Sequence, residues 1–493
     1  MARTTRGVAW RLALTVVAVY VLFFAPNVVR ETYLGVALAE RATVRVDPYV
    51  GLHPDIFEIP GRGAYINSNP GASMIGAVPY AVVRPVLERV YAAFPVLVTP
   101  RPAAAYDDPR PNRTRYMNEM RARGLDIRLE LAAIVMHLGV NVPFAVASVL
   151  LMYFFLLDRI GRPREAQWFA LLYAFGTPMF FRSGFLNQNL LVAHFTFFAL
   201  LALVWRRGDG PNATPASEPW RPAVAGLFLG LAVLCDYSAV PLAVVFGLWT
   251  LITRAQRSGV GAALAGGAAM VAGAAGPIAL LLGYQYAAFG DPFLPAQAYM
   301  PATDLSVVGW HGVRVPMTDL LWRNLFDPAY GLFVFCPLLV LALAAPWRAS
   351  KRAMIRRDEL WLLLAASVAL YLFCSAIAFA RLQWNTGVRY LVPAVPLLFL
   401  ATLPVLRGAN KRLAWVLVTS SVVIGWVVSM TRESVPAAFI RLARHGLELP
   451  WMTVLSKTAD AYLPQLPRSG VPTALYGLLG LALWLIWRKG PNE

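Results

Sequence analysis

Apolar residues run in long blocks broken by short polar stretches: 8–29, 129–157, 166–182, 189–205, 222–236, 238–253, 259–289, 329–346, 359–380, 390–406, 413–430 and 473–487. A helix that crosses a bilayer needs roughly 20 mostly apolar residues, and several of these blocks are short for that. The pattern predicts an all-α polytopic membrane protein of about twelve transmembrane helices, since helices satisfy their own backbone in lipid. Val8 to Val28 is long enough to span and no small-residue cleavage site follows it, so it reads as a first span and not as a removed leader.

The polar breaks differ in charge. Arg3, Arg6 and Arg11, then Arg159–Arg164, Arg206–Arg207, Arg254–Arg257, Arg348–Arg357, Arg407–Arg412 and Arg488–Lys489, alternate as one side of the membrane. Short basic loops stay in the cytoplasm, so both termini are expected there. The remaining breaks are then extracytoplasmic: a long first loop at 30–128, further loops at 290–328 and 431–472, a short bend at Phe181–Gln188 and a polar turn at Arg381–Arg389. The whole chain, 1–493, reads as one membrane domain. The first loop is itself rich in arginine, which long translocated loops tolerate. Within it Met74–Val98 is apolar, but Pro79, Pro85 and Pro95 with Arg84, Glu88 and Arg89 predict short helices lying in the interface. Pro436–Leu447 reads as a partial helix over the outer mouth.

Composition agrees with this layout. The chain is 58% hydrophobic and 14% charged, against about a quarter charged in soluble domains. The net charge of +18 is carried almost wholly by arginine and is spread over many loops, which argues for anionic lipid and against a nucleic-acid module. Cys235, Cys336 and Cys374 each lie in an apolar block, so neither a disulfide framework nor a zinc motif is indicated. A bacterial inner membrane is the expected location.

Candidate chemistry collects on the outer side. Arg30–Gly71 places Glu31, Glu40, Asp47, Asp55 and Glu58, with His53, directly after the first span. An acid or base must be a carboxylate or histidine open to water beside its substrate. Glu31 and Asp55 are the candidate catalytic carboxylates, with His53 beside Asp55 in an HPD cluster; Asp47, before Pro48, reads as a turn residue. Ionisable residues within spans are rare and point to function by default. His194 lies one turn into a block that starts at an outer bend, whereas His137 reads as packing. Asp236 and Tyr237 interrupt GLFLGLAVLCDYSAVPL, where Asp236 either pairs with an arginine or caps the next helix. Arg389 and Tyr390 open the tenth block, where a guanidinium could hold a phosphate, and Trp384 is either a sugar platform or a membrane-belt tryptophan.

The order of these segments resembles the GT-C superfamily of polyprenyl-phosphate-sugar-dependent membrane glycosyltransferases, akin to dolichyl-phosphate-mannose-protein mannosyltransferases and lipid A aminoarabinose transferases. The resemblance runs through nearly the whole chain. It rests on Glu31 after the first span, YINSNPG at Tyr65–Gly71, FGTPMFFRSGFLNQNLLVAH, AGLFLGLAVLCDYSAV, FGDPF, YGLFVFCP and GVRYLVPAVP. It implies transfer of a sugar from a polyprenyl-phosphate carrier to a lipid, polysaccharide or protein acceptor on the outer face. Glu31 would be the base that activates the acceptor, or a ligand of a divalent metal ion. Asp55 would be a second carboxylate, Arg389 would meet the donor phosphate, and Asn67 and Asn69 would line the substrate site. Two departures stand out: relatives carry Asp-Lys-Ala-Pro-Gly where this chain has Asn67-Ser68-Asn69-Pro70-Gly71, and Arg where it has Tyr330. No G-x-G-x-x-G in a strand–helix context suggests a nucleotide-sugar domain. A transporter or lipid flippase, or a degenerate relative with an assembly role, is the alternative, although no internal repeat of the transporter kind is visible.

Overall fold

The computed structural model describes residues 2–104, 106, 111–205, 218, 220–348, 354–383, 387–458 and 470–488. The chain opens with α1 (Ala2–Leu22) and α2 (Arg30–Arg41), then a hairpin of β1 (Ile56–Ile59) and β2 (Gly63–Ile66), then α3 (Gly71–Ala93) and α4 (Pro111–Ala122). A long helix follows in two parts, α5 (Asp126–Met136) and α6 (Val142–Ile160), joined by a π-helical turn at His137–Asn141. Next come α7 (Pro163–Phe175), α8 (Pro178–Arg182), α9 (Gln188–Val204), α10 (Trp220–Cys235), α11 (Ala239–Ser258) and α12 (Val260–Phe289). The remainder is α13 (Thr318–Phe326), α14 (Leu332–Phe335), α15 (Ala345–Arg348), α16 (Arg357–Ala376), α17 (Val395–Gly408), α18 (Lys411–Thr431), α19 (Val435–His445), α20 (Pro450–Thr458) and α21 (Val471–Trp487).

Among the described residues, six helices are long and apolar enough to cross a membrane, and five apolar segments, Gln188–Val204, Trp220–Cys235, Pro337–Trp347, Val392–Gly408 and Val471–Trp487, are shorter. The protein is therefore a nearly all-helical integral membrane protein. One contiguous hydrophobic core joins residues from Leu12 to Leu479.

Several boundaries differ from the sequence expectation, each for a local reason. The first helix stops at Leu22, not at Val28, and residues 24–29, with Pro26 among them, are non-helical. Glu31 is thus in the first turn of a separate helix, α2, where its negative charge meets the positive helix end. Met74–Val98 is not a set of short helices: α3 continues through Pro79 and Pro85, and only Pro95–Val98 is a separate 3₁₀ turn. Pro79 lies over Gly139, where an added Cβ would come within 2.3 Å of the proline ring. The block 166–182 breaks at Gly176, because Thr177 caps α8 by accepting from the Met179 N–H at 3.3 Å and Pro178 starts a new helix. In 329–346 the central stretch Pro337–Ala344 is 3₁₀ rather than α-helix. The hairpin was not expected at all in an all-α chain; it pairs Ile56 with Ile66 across the Pro60–Arg62 turn. The partial helix expected at Pro436–Leu447 is α19.

Among the described residues, arginines from several of the basic breaks tie neighbouring helix ends together. Arg159 at the end of α6 pairs with Glu359 at the start of α16 at 2.7 Å and donates to the Val204 carbonyl. Arg221 donates to the carbonyls of Ala202 and Trp205, Arg257 pairs with Asp358 at 2.7 Å, and Arg407 with Glu165 at 2.6 Å. The candidate site lies at the other ends of these same helices.

Candidate active site

Arg30 is the hub of the site. Extended backbone at Val29 delivers it into the first position of α2. Its guanidinium donates to the Asn67 carbonyl at 2.7 Å and to Asp55 Oδ2 at 3.1 Å, and lies 3.4 Å from Glu31 Oε1. One arginine therefore bridges both predicted catalytic carboxylates. The two differ in access: the Glu31 side chain is 5% exposed and that of Asp55 29%.

The hairpin positions Asp55. Its carbonyl accepts the Asn67 N–H at 2.8 Å, which extends the β1–β2 pairing, and its own N–H donates to His53 Nδ1 at 3.1 Å. That bond leaves the neutral ring's proton on Nε2. His53 is held further by the edge of the Tyr33 ring, 6.0 Å between centroids, while Tyr33 donates to the Leu52 carbonyl. Burial would raise the Asp55 carboxyl, but Arg30, His53 and Arg389 together hold it below the usual carboxylate range. Burial, opposed by Asp55 and reinforced by Arg30 and Arg389, keeps His53 below the ordinary imidazole value and so favours its neutral form. Burial works against the Arg30 charge, yet Asp55 and Glu31 more than offset it and raise its pKa.

Four further segments close around this hub. Arg389 interacts electrostatically with Asp55 and His53; its N–H donates to Gln383 Oε1 at 2.8 Å, and its guanidinium lies 5.2 Å from the Tyr390 ring centroid. The preceding Val388 has φ +56°, left-handed backbone that a β-branched residue rarely adopts, and such conformations cluster where geometry is set by function. Tyr390 senses Arg30, Asp55 and Asp236. Asp236 ends α10: Oδ1 accepts the Ser238 N–H at 2.8 Å and Oδ2 accepts from the Gln188 amide at the start of α9. The expected capping is not what forms: α11 is entered through Ser238 with no side-chain cap, and Asp236 makes a local turn with Ser238 and takes the Gln188 amide in place of an arginine. Tyr237 accepts from Gln285 Nε2 at 2.5 Å. The loop Asn67–Pro70 sits on the end of α10, with Asn69 Nδ2 donating to the Val233 carbonyl at 2.8 Å. A Cβ on Gly71 would meet the Leu234 carbonyl at 2.7 Å, so glycine is required for this approach.

The structure thus brings together Glu31, His53, Asp55, Asn67, Asn69, Asp236, Arg389 and Tyr390, with Tyr237 beside them. His194 stands apart: its Nδ1 is 2.5 Å from Ser148 Oγ and its ring lies against Phe144 and Phe198, an arrangement of helix packing. Trp384 lies outside the described residues. Three participants were missed from the sequence. Arg30 was given no role beyond opening the Arg30–Gly71 stretch. Arg182, 1% exposed at the end of α8, senses Arg389, Glu31 and Tyr390; an arginine inside PMFFRSGF was the available signal. Gln188, hidden in a polar bend, gave none. Among the described residues no three His, Cys, Asp or Glu side chains are grouped to hold a metal ion.

A family model described as glycosyltransferase family 87 matches residues 129–379. No curated protein and no solved structure matches the chain.

Proposed function

This chain belongs to glycosyltransferase family 87, and from that premise we propose that it moves a sugar from a polyprenyl-phosphate carrier to an acceptor hydroxyl on the extracytoplasmic face. The observation that carries the reading is the Arg30 bridge: a cation shared by two carboxylates, with Arg389 and Arg182 close enough to be felt. Glycosyl transfer needs this pairing of opposites. The acceptor oxygen attacks the anomeric carbon, the bond from that carbon to the phosphate oxygen breaks, and the carrier phosphate departs with the bonding pair. A carboxylate takes the acceptor's proton, and cations stabilise the leaving phosphate.

Asp55, the more exposed carboxylate, is the group placed to reach an acceptor, and Glu31 holds Arg30 from the buried side. A carboxyl held below its usual range accepts the proton late, once the attacking hydroxyl has become acidic. The cationic end has a further logic. The chain has Ser68 where relatives carry lysine, and Arg30 reaches the same loop through the Asn67 carbonyl. At the second departure, the Arg323 guanidinium lies 5.4 Å over the Tyr330 ring.

Purified protein incubated with undecaprenyl-phosphate hexoses and a membrane extract as acceptor source should release undecaprenyl phosphate and form a glycosylated product. Uptake or flipping of the carrier with no new glycosidic bond would overturn the reading.

A further inference from the structure

The wall of the site around Asp236 differs from the arginine wall, because it carries amide and hydroxyl groups with unused bonding capacity. Gln188, 3% exposed, spends its Nε2 on Asp236 and leaves Oε1 buried with no partner. Asn67 Oδ1 and Ser68 Oγ, on the loop seated at the end of α10, are buried and unpartnered as well. So are both polar side-chain atoms of Asn189, next to Gln188. Leaving one such group unmet costs about 1–3 kcal/mol, so a concentration of them beside a binding site marks positions that a ligand or water completes.

The chemistry of these atoms sorts the possible ligands. Gln188 Oε1 and Asn67 Oδ1 are amide oxygens and only accept. The phosphodiester of a sugar-bearing carrier has no proton to offer them and would be repelled by Asp236. A sugar hydroxyl donates, and it accepts as well, which suits the Ser68 hydroxyl and the Asn189 amide. The Asp236 carboxylate accepts one bond on each oxygen, from the Ser238 N–H and from the Gln188 amide. The bond holds the Gln188 amide with its nitrogen on Asp236 and leaves the oxygen for another donor.

We propose that Gln188 is a specificity-determining residue whose Oε1 accepts a hydrogen bond from a hydroxyl of the transferred sugar, with Asp236 as the positioning residue that fixes its amide. Asn67 and Ser68 face the same sugar from the α3 side. This rests on the function proposed above and deepens it: the donor is a neutral, polyhydroxylated hexose whose ring lies on the α9–α10 wall while its phosphate lies on the arginine wall.

The test is a comparison of two probes titrated into the full chain in nanodiscs: undecaprenyl phosphate, and undecaprenyl phosphate carrying glucose, galactose or mannose. The unaltered protein should bind at least one sugar-bearing carrier tighter than the bare one. Gln188→Met, which keeps the length and removes the amide, should weaken that carrier about tenfold, the loss of roughly one hydrogen bond, and leave the bare carrier unchanged. Asp236→Asn should give a smaller loss of the same sugar-selective kind, which a merely structural role would not produce. If both probes weaken equally in Gln188→Met, or neither weakens although the protein melts as before, the assignment is overturned. If the sugar-bearing and bare carriers bind alike in the unaltered protein, the sugar wall is refuted while the carrier reading stands. Failure of both probes to bind would refute the carrier reading and the inference together.

Discussion

At the scale of single residues, the site is governed by how charge is shared. Arg30 serves two carboxylates and one carbonyl, so its loss strands several groups, whereas loss of Asp55 leaves Arg30 still paired with Glu31. Asp55→Asn should therefore fold and fail catalytically: transfer should drop by about 10²–10⁴, the usual worth of a proton-transferring group, with a modestly lower melting temperature from the lost ion pair with Arg30. Retained activity in that variant would remove Asp55 from the mechanism. The same neighbourhood makes a pH prediction. Folded His53 titrates below the ordinary value of 6.5, so as the pH falls from 6.5 toward the folded value the unfolded chain binds a proton that the folded one does not. Stability should thus decrease on acidification through that window, and decrease again below pH 3.8, where unfolded Asp55 protonates first. Melting temperatures of the unaltered protein and His53→Gln between pH 7 and 5 should show a shallower slope for the variant. Parallel slopes would contradict it. Glu31 and Arg389 were visible in the sequence because a charge at the end of an apolar block is conspicuous, and Asp55 because it stands beside His53 in an HPD cluster. Arg30, flanked by a carboxylate, and Gln188, uncharged in a bend, were not, because what gives them meaning is a partner 25 and 48 residues away.

At the scale of elements, apolar periodicity located the helices but not their interruptions. Most long blocks became helices near their predicted limits, as with Val260–Phe289 and Lys411–Thr431. The misplaced limits fall at Pro26, Gly176–Pro178 and Pro337, where backbone rules override hydropathy, and the hairpin was missed because eleven residues with a central Pro-Gly carry too little alternation to compete with nearby helical signals. Contact between helices rests on glycine. A Cβ on Gly226 of α10 would stand 1.9 Å from the Met270 carbonyl oxygen of α12, and one on Gly273 equally close to the Ala223 oxygen. Backbone atoms cannot rotate away, so Gly226→Ala must separate two helices whose attraction in lipid depends on close approach. A cost of about 1–3 kcal/mol is expected from such overpacking, read as a lower melting temperature. At the opposite end, Arg159 and Glu359 are 4% and 2% exposed, and Arg159→Met leaves the Glu359 charge with Arg356 alone. Removing one partner of a buried pair typically costs about 3–5 kcal/mol. An unchanged melting temperature in either variant would show that these helix junctions are looser than their geometry implies.

For the molecule as a whole, the decisive property is polarity of arrangement. The breaks rich in arginine are tied together at one end by Arg159–Glu359, Arg257–Asp358 and Arg407–Glu165. Glu31, Asp55, Asp236 and Arg389 meet at the other. With a bilayer between the two ends, as proposed, those tied arginines and the candidate chemistry would lie on opposite sides. Short basic loops are retained in the cytoplasm, and a lipid-borne donor needs its chemistry on the face from which it arrives. The orientation can be read directly with a membrane-impermeant maleimide, since Cys235, Cys336 and Cys374 are buried and leave a low background. Glu58, exposed on β1, and Arg162, exposed between α6 and α7, report the two faces. Glu58→Cys should label in intact spheroplasts, and Arg162→Cys only after the membrane is permeabilised. The reverse pattern would put Asp55 on the cytoplasmic side, and with it any transfer reaction, so that the acceptor would have to be sought among cytoplasmic molecules.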